Sequence, residues 1–123
     1  MSISTFMGLQ TSLRGLLAEQ RALDVTSHNI ANANTPGYRR QDVDFHSALR
    51  AAFAQAPEST SRALESASFS PQADASTVLQ ADGNGVDIDV ESANVAKNGL
   101  EYQALVTVAR ARIDILRSAM GVQ

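Results

Sequence analysis

Apolar residues recur every three or four positions along the first third of the chain. From Ile3 to about Ala33 they form one heptad seam, in which Gln20 and Ser27 occupy two of the positions. This spacing is typical of a helix face that packs against another helix. It predicts one long amphipathic helix, with seam residues Phe6, Leu9, Leu13, Leu16, Leu23 and Ile30.

Two glycines share one face of this predicted helix. Gly8 and Gly15 are seven residues apart, and Ala22 continues the series. A glycine inside a helix costs about 1 kcal/mol relative to alanine. The pair is therefore either two tolerated glycines or a place where a neighbouring helix approaches closely.

The C-terminal part of the chain repeats the pattern and predicts a second long amphipathic helix. Acidic residues at positions 87, 89 and 91 mark its start, and we expect Asp89 to be the N-cap. Arginines at positions 110, 112 and 117 lie toward its end, where cations are favoured. Its predicted seam consists of Val95, Gly99, Tyr102, Val106, Ala109, Ile113, Leu116 and Met120.

The segment between the helices is less regular. Residues Tyr38 to Phe45 alternate between apolar and polar side chains, which predicts a short strand or an extended arm. The stretch from His46 to Gln80 is rich in Ala, Ser, Gln and Pro and too poor in large apolar residues to fold alone. Within it, Ala51 to Ala56 could form a helical turn that Pro57 ends.

A short β-hairpin is also predicted. Thr77 to Leu79 and Val86 to Val90 flank the sequence ADGNG, in which Asp82-Gly83 or Asn84-Gly85 could form the turn. The aspartates near this turn also serve the start of the second helix, so the two predictions compete for the same residues.

Together these patterns predict a mainly α fold. Residues 1–35 and 87–123 form one helical domain, an antiparallel coiled-coil hairpin, and residues 36–86 form the extended arm and the irregular middle segment. One pair of helices covers only part of each apolar stripe. Several apolar residues off the seams are expected to face water unless other copies or partners cover them: Leu17, Val25, Leu105, Val108 and Ile115.

The end of the first helix has an unusual sequence, SHNIANANTPGY, from Ser27 to Tyr38. Asparagines are poor residues for a helix interior, because their amides compete for backbone hydrogen bonds. Pro36 then removes a backbone donor, and Gly37 permits the positive φ that a type II turn requires. The asparagines are either interface groups at a subunit junction or a polar cap on an exposed helix end.

Composition limits what the chain can do by itself. Of its 123 residues, 44% are hydrophobic but only 5% are aromatic, so a self-contained core would be thin. A net charge of −3 argues against nucleic-acid binding. The chain has no cysteine, which excludes disulfides and thiolate metal sites. Its N-terminus resembles neither a cleavable signal peptide nor a membrane span.

None of the candidate chemical sites in the sequence has the residues and spacing that its chemistry requires. We therefore expect neither an enzyme nor a bound cofactor or metal. The stretch DGNGVDID has aspartates in a Gly-rich turn, but its register does not match a calcium loop. His28 and His46 lack the partners of a zinc site, and Ser27 beside His28 lacks the geometry of a catalytic pair. Arg39 and Arg40 are interpreted as salt-bridge partners of the nearby aspartates at a subunit contact, in preference to phosphate ligands.

Two segments carry a resemblance to a known family. SHNIANANTPGY followed by RRQDVDF, together with the stretch from GNGVDIDV to ARIDILRSAM, resembles the flagellar rod and hook family of axial proteins, and within it the proximal rod members. The resemblance implies a structural subunit that assembles head-to-tail into a helical tube, transmits torque and encloses the export channel. A soluble helical adaptor or export chaperone is the alternative.

The resemblance also implies partners and a location. The partners are other rod proteins, the basal-body adaptor protein, export-gate proteins and copies of the chain itself. The chain would lie in the basal-body rod in the periplasmic space, exported by the flagellar type III apparatus without a cleaved signal peptide and without spanning a membrane. Phe45 and Leu49 in FHSAL would either dock on the export gate or form an ordinary buried pair.

The predicted subunit interface combines the apolar seams with the asparagine motif. Each of these residues is expected to contact neighbouring helices in the rod: Phe6, Leu9, Leu13, Leu16, Leu23, Asn29, Ile30, Asn32, Asn34, Tyr38, Val95, Tyr102, Val106, Ile113, Leu116 and Met120.

Overall fold

A computed structural model describes residues 2–44 and 70–121, with side chains from Gly8 onward in the first range. Two long helices, α1 (Ser2–Ala31) and α2 (Ile88–Ala119), flank two short strands, β1 (Gln41–Asp42) and β2 (Gln72–Ala73). The helices pack against each other and run antiparallel, since the start of α1 meets the end of α2. The predicted mainly α fold with paired terminal helices is confirmed.

Small residues on α1 let the two helices approach closely. A Cβ added to Gly15 would lie 3.2 Å from both terminal carbons of Leu105, and one added to Gly8 would lie 2.7 Å from the Arg112 guanidinium. The glycine series thus faces a neighbouring helix, which is α2 of the same chain. Of the two interpretations offered by the sequence, close helix approach is the one observed.

The apolar seam of α1 is not the face that packs against α2. Leu9, Leu16 and Leu23 each come one residue after Gly8, Gly15 and Ala22, which places them about 100° further round the helix. The side chains buried on α1 are instead small or polar, with Val25 the largest apolar one: Ser12, Gly15, Ala18, Glu19, Val25, Thr26 and Asn29.

The residues predicted to lie off the seams divide into two groups. Leu17, Val108 and Ile115 are exposed, as predicted. Val25 and Leu105 were expected to face water, but Val25 is buried and Leu105 packs against Gly15. The expectation failed because it assumed that the seam marks the pairing face, whereas the glycines set which face can approach α2.

The first helix ends where the asparagine motif predicts. Asn32 N–H donates to the carbonyls of His28 and Asn29, and Ala33 N–H donates to Ile30. The chain then turns over residues 35–38, with Tyr38 N–H donating to the Thr35 carbonyl at 3.2 Å and Gly37 at φ 72°. A positive φ at this third position is what a type II turn requires.

The two strands pair with each other and not as the predicted hairpin. In the antiparallel register Gln41 faces Ala73 and Asp42 faces Gln72. Among the described residues no strand occurs at positions 77–79 or 86–90, so the hairpin prediction was wrong. The turn at Asp82-Gly83 exists, with Gln80 N–H donating to the Asn84 carbonyl at 2.8 Å, but the residues from Ile88 onward belong to α2.

The N-cap of α2 is Asp87 and not Asp89. The Asp87 carboxylate accepts hydrogen bonds from Asp89 N–H at 2.9 Å and Val90 N–H at 3.3 Å. Asp89 and Glu91 lie in the first turn, where their charge favours the helix terminus. Choosing between two aspartates two residues apart requires the backbone angles of residue 87, which the sequence does not supply.

Some sequence predictions fall outside the described residues. They are the helical turn at 51–56 and the roles of Phe45 and Leu49. Phe6 lies in α1, but the structure does not describe its side chain. In the described parts of the chain no helix is long and apolar enough to cross a membrane.

Two glycine substitutions test the packing of the hairpin. A Cβ added to Gly99 meets no heavy atom within 4 Å. Gly99→Ala should therefore stabilise the folded chain by about 0.5–1 kcal/mol, the usual helix gain. Gly15→Leu should destabilise it by roughly 1–3 kcal/mol through overpacking against Leu105.

Urea unfolding followed by circular dichroism, with an osmolyte present to raise the folded fraction, would measure both changes. If Gly15→Leu stabilised the chain as much as Gly99→Ala, the close approach at Gly15 would be refuted.

Candidate functional site: a buried polar junction

A set of buried and half-buried polar side chains lies where the end of α1, the arm and the start of α2 meet. We call Asn29, Arg40, Asp74 and Glu91 the polar junction. Asn29 and Glu91 are fully buried, and the Arg40 side chain is only 12% exposed. Buried polar groups are tolerated when they are hydrogen-bonded, and these are.

Asn29 joins the arm to α1 in the way a neighbouring strand would. Its Oδ1 accepts from Gln41 N–H at 3.0 Å, and its Nδ2 donates to the Gln41 carbonyl at 2.8 Å. The same Nδ2 donates to Glu91 Oε2 at 3.1 Å, and the Tyr38 hydroxyl donates to Asn29 Oδ1 at 3.3 Å. One amide thus connects both helices and the arm.

Arg40 neutralises the buried carboxylate of Glu91. Its Nε donates to Glu91 Oε1 at 2.6 Å, and its Nη1 donates to Asp74 Oδ2 at 2.8 Å. Asp42 lies 3.5 Å from the same Nη1 but is largely exposed. Because a guanidinium presents several donors in a fixed plane, one residue can hold carboxylates from two other segments.

The charge states follow from this geometry. Burial alone would lower the pKa of Arg40, but the hydrogen bond and the negative charge of Glu91 outweigh it and raise that pKa. Burial and then the charge of Glu91 raise the pKa of Tyr38, so its hydroxyl stays protonated and donates. Hydrogen bonds from the Ser76 hydroxyl and N–H lower the pKa of Asp74 to about 2.

A second asparagine, Asn84, holds the end of α1 from the other side. Its Nδ2 donates to the carbonyls of Asn32 at 2.9 Å and Thr35 at 2.7 Å, and its Oδ1 accepts from Val86 N–H. These carbonyls lie just beyond the helix end, where each accepts one backbone N–H, from Thr35 and Tyr38 respectively, and the Asn84 amide supplies a second donor to both. Asn84 is fully buried, so it acts as a side-chain cap supplied from a distant turn.

Two glycine turns contact each other beside this cap. Gly37 N–H donates to the Asp82 carbonyl at 3.0 Å, and a Cβ on Gly83 would lie 3.5 Å from the Gly37 Cα. Both glycines have positive φ, 72° and 78°. The TPG turn and the ADG turn are therefore positioned backbone to backbone.

The three asparagines of the motif have different environments. Asn29 is fully buried, and its amide bonds to Gln41 and Glu91 hold α1, the arm and α2 in register. Asn32 Nδ2 donates to the His28 carbonyl of its own helix, and its Oδ1 accepts from the Thr35 hydroxyl. Asn34 is exposed.

The other predicted interface residues lie on the outside of the hairpin or at its margin. Those that are exposed are Leu13, Ile30, Val95, Tyr102, Ile113 and Met120, and those that are half-buried are Leu9, Leu16, Leu23, Tyr38, Val106 and Leu116. Ala109 of the second seam is buried, so part, but not all, of both apolar seams remains available for contacts outside the chain.

Sequence reasoning missed Asp74 altogether and gave three other residues local roles. Glu91 was assigned to the helix terminus, Asn84 to a hairpin turn, and Arg40 to salt bridges with the nearby aspartates at a subunit contact, of which the pairing with Asp42 is observed. Neither their type nor their spacing marks them, because their partners are far away in the chain. Among the described residues, no group of three acidic, His or Cys side chains could hold a metal ion.

Removing Arg40 should be costly. Arg40→Met leaves the Glu91 carboxylate buried without its cation, and breaking such a pair typically costs about 3–5 kcal/mol. The double variant Arg40→Met with Glu91→Met should recover much of that loss, because it leaves no unpaired buried charge. Arg39→Met, at an exposed neighbouring position, is the matched control and should change stability by less than about 0.5 kcal/mol.

The measurement is again urea unfolding in osmolyte. Equal effects of Arg40→Met and Arg39→Met would show that the buried pair contributes no more than a surface charge.

Comparison with known proteins agrees with the resemblance noted in the sequence. A family model described as "Flagella basal body rod protein" matches residues 9–39, which include most of α1 and the first turn. The flagellar basal body rod protein FlgB of Yersinia enterocolitica is 37% identical over 114 residues, covering 79% of this chain and 81% of the relative. FlgB of Aeromonas hydrophila is 32% identical over 114 residues, covering 85% of this chain and 86% of that relative.

A different axial protein shares only a short region. Flagellar hook-associated protein 1 of Bacillus subtilis is 62% identical over 40 residues, which cover 32% of this chain but 8% of that protein. The shared region is thus a module common to proteins of different length, whereas the FlgB relatives match over most of both chains.

Proposed function

We propose that this chain, which belongs to the FlgB family of flagellar basal-body rod proteins and is a structural subunit of the rod, occupies the proximal rod and stacks head-to-tail with other axial proteins. The assembled subunits form a helical tube that encloses the export channel and transmits torque. A head-to-tail contact does not close on itself, so repetition of it produces a tube or filament.

The observation that carries this proposal is that large apolar side chains lie exposed on the outside of the hairpin. The hairpin is closed through small and polar residues, and Leu13 and Leu17 remain 49% and 54% exposed. Val95, Tyr102 and Ile113 on α2 are similarly exposed. Leu13 and Leu17 lie one helical turn apart on the same face of α1, and exposed large apolar side chains grouped in this way mark contacts with other proteins. Neighbouring subunits therefore cover the stripes.

The partners and location follow from the same proposal. The stripes contact other rod proteins and copies of this chain, and at the rod base they contact the adaptor and export-gate proteins. The rod lies in the periplasmic space, and the chain reaches it through the flagellar export apparatus without a cleaved signal. The family relationship and the free stripes support this arrangement.

A charge placed in the stripe tests the proposal. Leu13→Glu should abolish incorporation into basal bodies, because a carboxylate would be buried at the contact. It should change the stability of the hairpin by less than about 0.5 kcal/mol, because Leu13 is half exposed. Gln103→Glu, on an exposed part of α2 outside the seam, adds the same charge and should incorporate normally.

The readouts are swimming in soft agar and immunoblots of purified basal bodies from a strain that lacks its own copy of the gene. The isolated parent chain should be monomeric and mostly unfolded when dilute and should gain helix on assembly. Cooperative unfolding of a defined monomer or dimer, with no chain in basal bodies, would instead indicate a soluble adaptor or chaperone.

Phe45 and Leu49 are proposed to dock on the export gate. Phe45→Ala should then block secretion of the chain, while chain that is already assembled remains stable. Secretion is measured as the amount of chain in the medium of a strain that cannot retain a rod, with Ser47→Ala as the control. Normal secretion of Phe45→Ala would refute the docking role.

A further inference from the structure

A cavity of about 220 Å³ opens between α1, α2 and the arm, next to the polar junction. Acidic side chains from all three segments line it: Glu19 from α1, Glu101 from α2, and Asp42 and Asp44 from the arm. Two cations, Arg40 and Lys97, also line it.

The two cations that line the cavity have different partners. Arg40 is already bound to Glu91 at 2.6 Å and to Asp74 at 2.8 Å. Lys97 Nζ lies 3.9 Å from Glu101 Oε1, and its side chain is 59% exposed. An exposed pair at that distance contributes little. Glu19 and Glu101 therefore face the cavity with the exposed Lys97 as their nearby cation, because Arg40 is taken up by Glu91 and Asp74.

Glu19 is the feature that points to a ligand. Its side chain lines the cavity while the residue is only 4% exposed, and its Oε2 is fully buried. No hydrogen-bond donor for that oxygen occurs in the part of the chain that the structure describes. The hydrogen-bonding partner of the Glu19 carboxyl is a second carboxyl, that of Glu101, so this buried pair lacks a cationic donor, which a ligand in the cavity would supply.

Rod assembly supplies the occupant. We propose that this cavity receives a Lys or Arg side chain from an adjacent rod subunit, whose cationic group binds between Glu19 and Glu101. The inference rests on the proposed function, since the donor belongs to a neighbouring axial protein. The acidic side chains of the cavity favour a cationic ligand. Lysine and arginine are the cationic side chains that are long enough to enter between two helices.

The free chain holds a proton where the cation would bind. Burial, the hydrogen bond to Glu101 and the charge of Glu101 together raise the pKa of Glu19 to about 7, although Lys97 opposes this. The other charged groups facing this carboxyl are Arg40, Asp42 and Asp44 on the arm. A cation arriving from a neighbour would favour the ionised form, so assembly would release this proton.

Glu19→Gln separates the partner role from a structural one. In the free chain a raised pKa makes the folded state less stable as pH rises from about 4.5 to 7, because the unfolded state loses its proton first. Glutamine removes that loss, so Glu19→Gln, unfolded in urea with the same osmolyte present, should raise the urea midpoint at pH 8 and leave it unchanged at pH 4. In the rod, the same variant should lower incorporation by about tenfold or more, since removing one partner of a buried charge pair is that costly.

The matched control is Asp24→Asn, which removes one charge from an exposed position of α1 outside this cavity. It should leave both the urea midpoint and incorporation unchanged. Incorporation of Glu19→Gln at the parent level would overturn the inference. A variant that lost both stability and incorporation would show a purely structural Glu19 and would also overturn it.

A cross-link identifies the donor directly. A photoreactive benzoylphenylalanine in place of Lys97, at the exposed rim, should capture a peptide of another rod subunit that contains Lys or Arg. Cross-links within single chains alone, with no species of the mass of two joined subunits, would overturn the inference while leaving the rod assignment intact. Absence of the parent chain from basal bodies would instead remove the proposed function itself.

Discussion

The hydrogen-bonded ion pair between Arg40 and Glu91, held by Asn29, is the interaction on which the arrangement of the chain depends. It is the point where α1, the arm and α2 are attached to one another. Because both helices are long and their contact is made of small side chains, apolar packing alone would specify their axial position only weakly. The junction supplies that specification, as a buried polar group does in coiled coils.

Sequence periodicity was sufficient for the helices and insufficient for their pairing. The three-and-four spacing placed α1 and α2 within a few residues of their observed ends. The leucines that gave this signal lie at the margin of the helix contact or outside it, because the glycine series one residue earlier permits a closer approach. An apolar seam shows where a helix is covered but not which neighbour covers it.

The junction could be predicted only in part. Asn29 was singled out because an asparagine is unusual near a helix end, and the turn at Gly37 followed from the Pro-Gly pair. Glu91 and Asn84 had ordinary local interpretations, a helix-terminal acid and a turn residue, that concealed their burial. Their partners lie 51 to 62 residues away for Glu91 and 49 to 52 residues away for Asn84, and no local pattern encodes such contacts.

The small contact between α1 and α2 also affects how easily the hairpin opens. The buried apolar side chains of the described residues are alanines and valines. Separating the helices therefore exposes little apolar surface to water. We propose that this chain reaches the rod through the flagellar export apparatus. If it passes in extended form, its hairpin must open under a small force. Leu105, which packs against Gly15, is only half-buried there, and the exposed Leu13 and Leu17 resist the opening little, because they contribute to packing only once neighbouring subunits cover them.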